Sequence, residues 1–370
     1  MRRRERPGPV AKDERTKEAR RRPRSRPAPF GINGESVPAG SVATIDLAIS
    51  RLSTHTQMAL PVRVVHGARP GPALFVSAAV HGDEIIGVEI IRRLLCKVSP
   101  RRLSGTLICV PVVNVFGFIM HQRYLPDRRD LNRSFPGSAR GSLASQLAHV
   151  FASEIVERAQ YGIDLHSAAA HRSNLPQIRI TPDDPGMTEL ATAFGAPAVI
   201  HAPVREGSLR QFAMTKGVRV LLYESGEALR FDEIAIRIGV KGVLRVMAHL
   251  GMLSRARLSR LPAQPVHSEL TKWVRAPEGG IFRAIKGNGE RVEKGDVLGY
   301  LSDPFGDHDV PVTADMSGIV IGRTNLPIVN LGDALMHIAY ARRLDTASER
   351  IDEIAEDVRG DPLFDEDELI

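Results

Sequence analysis

Two cysteines and one tryptophan are all that this chain of 370 residues carries of those types, and aromatic residues make up only 5% of it. Cys96 and Cys109 fall in an apolar helix pattern and an apolar strand pattern, where a free thiol behaves as a small buried hydrophobe. So few thiols exclude a disulfide framework and fit a reducing cytoplasm, the location expected here. Long apolar runs are also missing. Leu107 to Val113, among the longest, falls far short of the ~20 residues a membrane-spanning helix needs, so no membrane partner is expected. No apolar segment follows the arginine-rich start, which excludes the pattern of a secretory or twin-arginine signal.

Charge is unevenly placed within the net +7. Residues 1–30 hold twelve Arg and Lys against four acids, and residues 345–370 hold eleven acids against two arginines. The basic segment has almost no aliphatic side chains to bury, so 1–30 is expected to be a disordered tail. Residues 345–370 are expected to be an acidic tail able to pair with it. The arginines have no aromatic residues between them and no accompanying recognition fold, which argues against a nucleic-acid partner. The oligomeric state is left open.

What the chain has in plenty is alternation. From about residue 60, short apolar runs alternate with amphipathic stretches, the pattern of an α/β domain with a mostly parallel mixed sheet flanked by helices, here assigned to 31–255. The expected strands are Val62–Val65, Ala73–Ala78, Thr106–Val113, Tyr161–Leu165, Ile178–Ile180, Ala198–His201 and Val218–Tyr223. The expected helices are Asp83–Lys97, Ser142–Ala159 with its serine cap, and Phe231–Leu250. A Pro, Ser and Arg-rich linker around 254–267 leads to a glycine-punctuated region, 268–342, with no helical pattern. Its halves are alike: Val292-Glu-Lys-Gly-Asp-Val-Leu-Gly is matched by Val329-Asn-Leu-Gly-Asp-Ala-Leu. This small all-β domain resembles the barrel-sandwich of biotinyl and lipoyl carriers. Asp315-Met316 stands where carriers present their modified lysine, so no prosthetic group is expected.

In open α/β sheets, ligands collect at the carboxyl ends of strands, and polar residues cluster there in this sequence. Val80-His81-Gly82-Asp83-Glu84 follows an apolar strand and precedes a helical pattern, so an imidazole and a carboxylate three residues apart can face one point. Zinc accepts such ligands. Asp164-Leu165-His166-Ser167 and Tyr223-Glu224-Ser225-Gly226 end two further strands. Arg123-Tyr124 and Asp130-Leu-Asn-Arg-Ser-Phe-Pro-Gly137 lie on the loop after Thr106–Val113.

Together these stretches resemble the succinylglutamate desuccinylase/aspartoacylase family, relatives of zinc carboxypeptidases, over roughly residues 60–340. The branch resembled is a bacterial one of deacylases that also shows a stretch like His171-Arg-Ser-Asn-Leu-Pro-Gln-Ile-Arg179. The resemblance implies one zinc per chain on His81, Glu84 and His166, and Glu224 as general base. It implies Asn132 and Arg133 as a clamp for a substrate carboxylate and Arg123 as electrophilic support, with His171 and Arg179 toward the substrate. Two extra residues separate Arg123-Tyr124 from Asp130 compared with aspartoacylase-like sequences, which leaves Arg128 and Arg129 as rivals for the role of Arg123. Bland readings stand beside these. His166 could be a buried histidine satisfied by backbone, Glu224 a helix cap, Arg133 a structural pair for Asp130 and Asn132 a turn residue.

The chemistry is coherent in its own right. Two histidines and one carboxylate leave a fourth zinc position open for water, a nearby Glu can move the proton, and an arginine can stabilise the oxyanion. The expected function is zinc-dependent hydrolysis of the amide of an N-acylated amino acid or related small carboxylate. The alternative is a metallocarboxypeptidase acting on a peptide or peptide-like tail. From another class, a catalytically idle scaffold would use the β-domain and the tails as docking surfaces.

Overall fold

The computed structural model describes residues 26–182, 184–254, 264–341, 349, 351–354 and 356. A hairpin of β1 (Phe30–Ile32) and β2 (Glu35–Val37) leads into a long antiparallel ribbon, β3 (Ser41–Arg51) and β4 (Gln57–His66). Then follow β5 (Arg69–Ala78), α1 (Ile86–Lys97), β6 (Ser104–Val110), α2 (Val115–Ile119), α3 (Leu143–Glu154), β7 (Tyr161–Ala168) and β8 (Arg172–Ile180). The α/β part closes with α4 (Pro185–Phe194), β9 (Ala198–His201), α5 (Leu209–Thr215), β10 (Arg219–Glu227) and α6 (Glu233–His249). Beyond it come β11 (Val266–Ser268), β12 (Thr271–Arg275), β13 (Gly280–Ala284), β14 (Arg291–Val292) and β15 (Val297–Ser302). The last strands are β16 (Asp309–Thr313), β17 (Gly318–Thr324), β18 (Ile328–Val329) and β19 (Ala334–Ala339).

One mixed sheet runs through most of the molecule in the order β12-β19-β17-β8-β10-β7-β5-β6-β4-β3. Its centre is parallel: β10 with β7, β7 with β5, and β5 with β6. Strand alternation divides the core into two layers. Leu74, Val76, Ile163, Leu165, Leu221 and Tyr223 face α1, α4 and α6, while Phe75 and Val220 face the side covered by α3 and α5. On that second face, near the strand ends, apolar residues give way to Ser77, Asp164, His166 and Glu224. That change of character builds the site.

Helix α1 begins at Ile86 rather than Asp83, because His81 to Glu84 form a tight turn in which the Glu84 N–H donates to the His81 carbonyl at 3.1 Å. Helix α3 is capped by Ser142 as expected, its hydroxyl accepting from the Ser145 N–H. Cys109 is buried, but Cys96 is exposed. The buried stripe of α1 is Ile86, Gly87, Ile90, Ile91 and Leu94, and position 96 lies off it. The expected basic tail lies outside the described residues up to 25. Ala28, however, already accepts a hydrogen bond from His66 Nε2 at 3.0 Å, and Phe30 opens β1. Most of the expected acidic tail also lies outside them, yet Ile351 and Ile354 are buried, Ile351 beside Leu175 and Ile321.

The all-β region is a sandwich: β16-β15-β13-β18 form one sheet, and β12, β14, β17 and β19 the other. Phe282, Leu298, Leu301, Val320, Leu335 and Ile338 fill the space between them. It does not stand apart. β17 pairs antiparallel with β8, so one hydrogen-bonded sheet joins this region to the α/β part. At that junction His337 stacks on Trp273, with ring centroids 4.5 Å apart and planes 8° from parallel, and the Arg172 guanidinium also lies over the indole, 5.3 Å from its centroid. Burial, helped by the charge of Arg179, pushes the imidazole down to about 3. The unfolded chain takes up this proton near pH 6.5, so between about pH 6.5 and 3 it binds more protons than the folded one. Stability is therefore lost as the pH falls through that window, by roughly 2 kcal/mol from pH 7 to pH 5. His337→Phe keeps the stack and removes the titration. Its urea unfolding free energy should fall by roughly 2 kcal/mol less than wild type over the same interval; parallel pH dependences would refute the assignment.

Candidate active site

Gly82 lets the turn from His81 to Glu84 form. A Cβ there would lie 2.0 Å from the carbonyl carbon of Gly117, so only glycine allows the turn to press against α2. His81 and Glu84 thereby face His166, the penultimate buried polar residue of β7, and one ligand atom from each lies within 4.8 Å of the others. Glu84 is central. Its Oε2 lies 2.6 Å from His166 Nδ1, and its Oε1 lies 2.8 Å from His81 Nδ1.

Behind each imidazole stands a second carboxylate. His166 Nε2 donates to Asp164 Oδ2 at 2.8 Å, and His81 Nε2 is 3.2 Å from Asp130 Oδ1. For His166 that partner fixes the tautomer, whereas His81 Nε2 also faces the Arg123 guanidinium; both Nδ1 atoms are turned toward Glu84. His81 Nδ1 is buried and, despite its 2.8 Å approach to Glu84, lacks hydrogen-bond geometry to it. Two imidazole Nδ1 atoms and a carboxylate, converging and backed by outer carboxylates, are the donor set and the orientation that zinc requires. The residues fit the metal.

The electrostatics follow from these contacts. Burial opposes the charged form of Glu84, yet His81 and His166 hold its carboxyl well below the usual range. Burial likewise opposes protonation of His166 and His81, but Asp164 and Glu84 raise the first and Glu84 and Asp130 the second. Asp130 is held down to about 2, against its burial, by the hydrogen bond from His81. Burial raises the Asp83 carboxyl, with the charge of Glu84 adding to the effect.

Arg123 enters this cluster directly, donating from Nη1 to Glu84 Oε1 at 2.7 Å and placing Nη2 2.9 Å from His81 Nε2. Its rivals do not reach it: Arg128, in left-handed backbone at φ 62°, and Arg129 are both exposed. Glu224 is the register partner of His166 on the adjacent parallel strand, so both side chains rise from the same sheet face. The ladder is irregular immediately after Glu224 on both sides, the kind of local distortion that re-aims a side chain beside a site. Asn132 is anchored rather than free at its oxygen, which accepts from the Leu209 N–H at 2.9 Å and so ties its loop to the start of α5. Arg133 is exposed and donates to the Asn132 carbonyl. His171 is exposed in left-handed backbone at φ 64°, its N–H held by Glu227 at 3.0 Å. Arg179 is half-buried on β8, and its Nε has no hydrogen-bond partner.

Three residues stand out that motif reading passed over. Asp164 and Asp130 back the histidines. Arg210, next to the anchored Leu209, places Nη2 on the carbonyls of Ala202 and Pro203 and leaves Nη1 buried without a partner. Burial and the neighbouring Arg179 push it down to about 10, while Glu224 and Asp164 oppose the fall, so it sits within electrostatic reach of both carboxylates. The signal for Asp164 was present, since Asp164 and His166 alternate onto one strand face. For Arg210 the clue was the one charged residue in the short helix behind the serine cap Ser208.

Comparison with known proteins finds relatives of the same overall fold. The chain is 26% identical over 294 residues to the N-alpha-acetyl-L-2,4-diaminobutyric acid deacetylase of Halomonas elongata, covering 76% of this chain and 85% of that one. It superposes with a TM-score of 0.73 on a succinylglutamate desuccinylase/aspartoacylase from Rhodobacter sphaeroides, at 26% identity over 81% of this chain and 95% of that one. The product-bound ectoine utilization protein EutE of Ruegeria pomeroyi shares the fold at a TM-score of 0.72 and 23% identity, over 85% and 99% of the two chains. Residues 70–250 match the succinylglutamate desuccinylase/aspartoacylase catalytic domain, which places this part of the chain in that family.

Proposed function

We propose that this protein is a zinc-dependent deacylase that cleaves the amide of a small N-acylated amino acid, releasing a carboxylic acid and an amine. The observation that carries the reading is the convergence of His81, Glu84 and His166, each imidazole backed by a carboxylate, beside Glu224 on the next strand. The kinship with a deacetylase of an N-acetylated diamino acid supports an acylated amino acid over a peptide. Zinc held by these three residues supplies Lewis acidity and makes a water acidic near neutral pH.

The chain's own residues do the rest. Glu224 accepts the proton of the attacking water and hands it to the departing amine. Arg123, one guanidinium edge on Glu84, offers its remaining N–H groups to the carbonyl oxygen as negative charge develops there. Arg210 and Arg179, each with a buried N–H lacking a partner, supply donors for the substrate's carboxylate, with Arg133 at the exposed rim. A bidentate guanidinium contact selects a planar carboxylate in a way lysine could not.

The test is hydrolysis by the zinc-loaded protein of N-acetyl and N-succinyl amino acids, the corresponding amides, and short peptides. Acyl amino acids should be turned over. Masking the carboxylate as an amide should lower kcat/KM by roughly 10- to 1000-fold, the scale of a charge-assisted bidentate contact. In Arg210→Lys that preference should shrink toward parity, while the same change at exposed Arg133 should move it less. Release of C-terminal amino acids from peptides, without turnover of acyl amino acids, would transfer the reading to a carboxypeptidase.

A further inference from the structure

Glu224 has one direct side-chain partner among the described hydrogen bonds: Asn174 on β8, whose Nδ2 donates to Glu224 Oε2 at 3.0 Å. Asn174 sits where the two parts of the molecule meet. Across β8 it is opposite Gly226 of β10 on one side and Gly322 of β17 on the other. The amide oxygen of Asn174 occupies the space that a side chain at 322 would fill, since a Cβ there would lie 2.7 Å from Asn174 Oδ1. Backbone φ at Gly322 is not in the left-handed region, so the glycine is explained by the close approach and not by a turn. Resting on the reading of Glu224 as the base, we infer that Asn174 is a positioning residue for Glu224, and that Gly322 of the β-domain provides the gap in which Asn174 takes up its position.

The geometry is well supported on both flanks. Asn325, at the end of β17, donates its N–H to the His171 carbonyl at 2.7 Å and its Nδ2 to Glu227 Oε2 at 2.9 Å. Asn288, also from the β-domain, donates to Ser173 Oγ at 3.1 Å. The β-domain thus grips the residues immediately before Asn174 and the strand end just beyond Glu224. With Oε2 held by an amide donor, the carboxylate has one fixed rotamer and keeps Oε1 for the proton it moves. A half-buried carboxylate without that donor would rotate, and a proton-transfer group displaced by about 1 Å loses rate out of proportion to the energy involved. The β-domain is on this account part of the catalytic scaffold, even though none of its residues touches the substrate in this role.

The experiment is steady-state kinetics on the full-length, zinc-loaded chain with an N-acyl amino acid, alongside zinc content and melting temperature. Asn174→Ala and the similarly shaped Asn174→Leu, which cannot donate, should each lower kcat by roughly 10- to 100-fold with KM within about threefold, the scale of one hydrogen bond to a charged group. Both should keep one zinc per chain. Gly322→Ala pushes only on the movable tip of Asn174, with the next atom, the Ser173 carbonyl oxygen, at 3.4 Å, so it should fold normally yet lower kcat to a similar degree. Gly322→Ala combined with Asn174→Ala should be no slower than Asn174→Ala alone, because the second change acts through a group already removed. Losses that multiply in the double variant, or a rise in KM with kcat unchanged, would overturn the inference. If Asn174→Ala and Gly322→Ala turn over like wild type while Glu224→Gln is inactive, the inference fails and the base assignment survives. An active Glu224→Gln would instead remove the base assignment on which it rests.

Discussion

Replacing His166 by Ala is expected to leave a protein that cannot keep zinc through dialysis against a mild chelator and has no measurable deacylase turnover. On the proposed reading the imidazole contributes one of three inner ligands, and it is also the residue that Asp164 orients and Glu84 faces at 2.6 Å. Loss of an outer partner alone lowers metal affinity or activity by ~10- to 100-fold, so loss of the ligand itself should exceed ~100-fold. His81→Ala should behave in the same way. Asp164→Asn offers the intermediate case, keeping the imidazole but replacing its charged acceptor, and should weaken zinc by the smaller factor. Elemental analysis after dialysis, paired with the activity of zinc-restored samples, measures both effects. Retention of about one zinc per chain by His166→Ala would mean that the metal, if bound at all, is held elsewhere.

Why these candidate site residues could be placed together from the sequence, and others not, has a physical basis. His81 and Glu84 sit on a strand-to-helix turn, and His166 and Glu224 sit at the ends of strongly apolar strands, so local pattern alone places them on the same rim. Asp164 was legible for the same reason. Arg210 was not, because its contribution depends on the loop between β9 and α5 folding back so that Asn132, from a distant loop, meets Leu209. The choice among Arg123, Arg128 and Arg129 was equally non-local: it turns on which guanidinium reaches Glu84, and the two residues of extra loop simply place Arg128 and Arg129 in solvent.

The fold shows the same division. The parallel centre was legible from its apolar runs, and Ala198–His201 coincides with β9. Strand β3 escaped notice because only Ile45 and Leu47 of its eleven residues are fully buried, and α4 and α5 because their buried faces are short and partly built of alanine. The all-β region was recognisable by its glycines and its repeat. Its hydrogen-bonded union with β8 was not, since β8 is interrupted by Pro176 and polar residues, and nothing local marks which edge will accept β17. That union brings Asn174 between Gly226 and Gly322, so the least legible feature of the fold lies next to the proposed base.

Glu224→Gln should fail in a different manner from the histidine variants. Glutamine keeps the shape of the side chain and can still accept from Asn174 Nδ2 through its own carbonyl oxygen, so the strand end and the metal ligands are undisturbed. It cannot take a proton from water. The variant should therefore retain about one zinc per chain and bind substrate with a Kd near the wild-type value. Its single-turnover rate should be slower by at least ~100-fold and as much as ~10,000-fold, the range for a positioned acid/base group. Glu224→Asp makes the complementary point: the carboxylate remains but is withdrawn by one methylene, so it should lose rate while retaining some activity, with zinc again in place. If Glu224→Gln lost zinc as readily as His166→Ala, Glu224 would belong to the ligand set. If it kept both zinc and full rate, proton transfer would have to be assigned to another group on this rim.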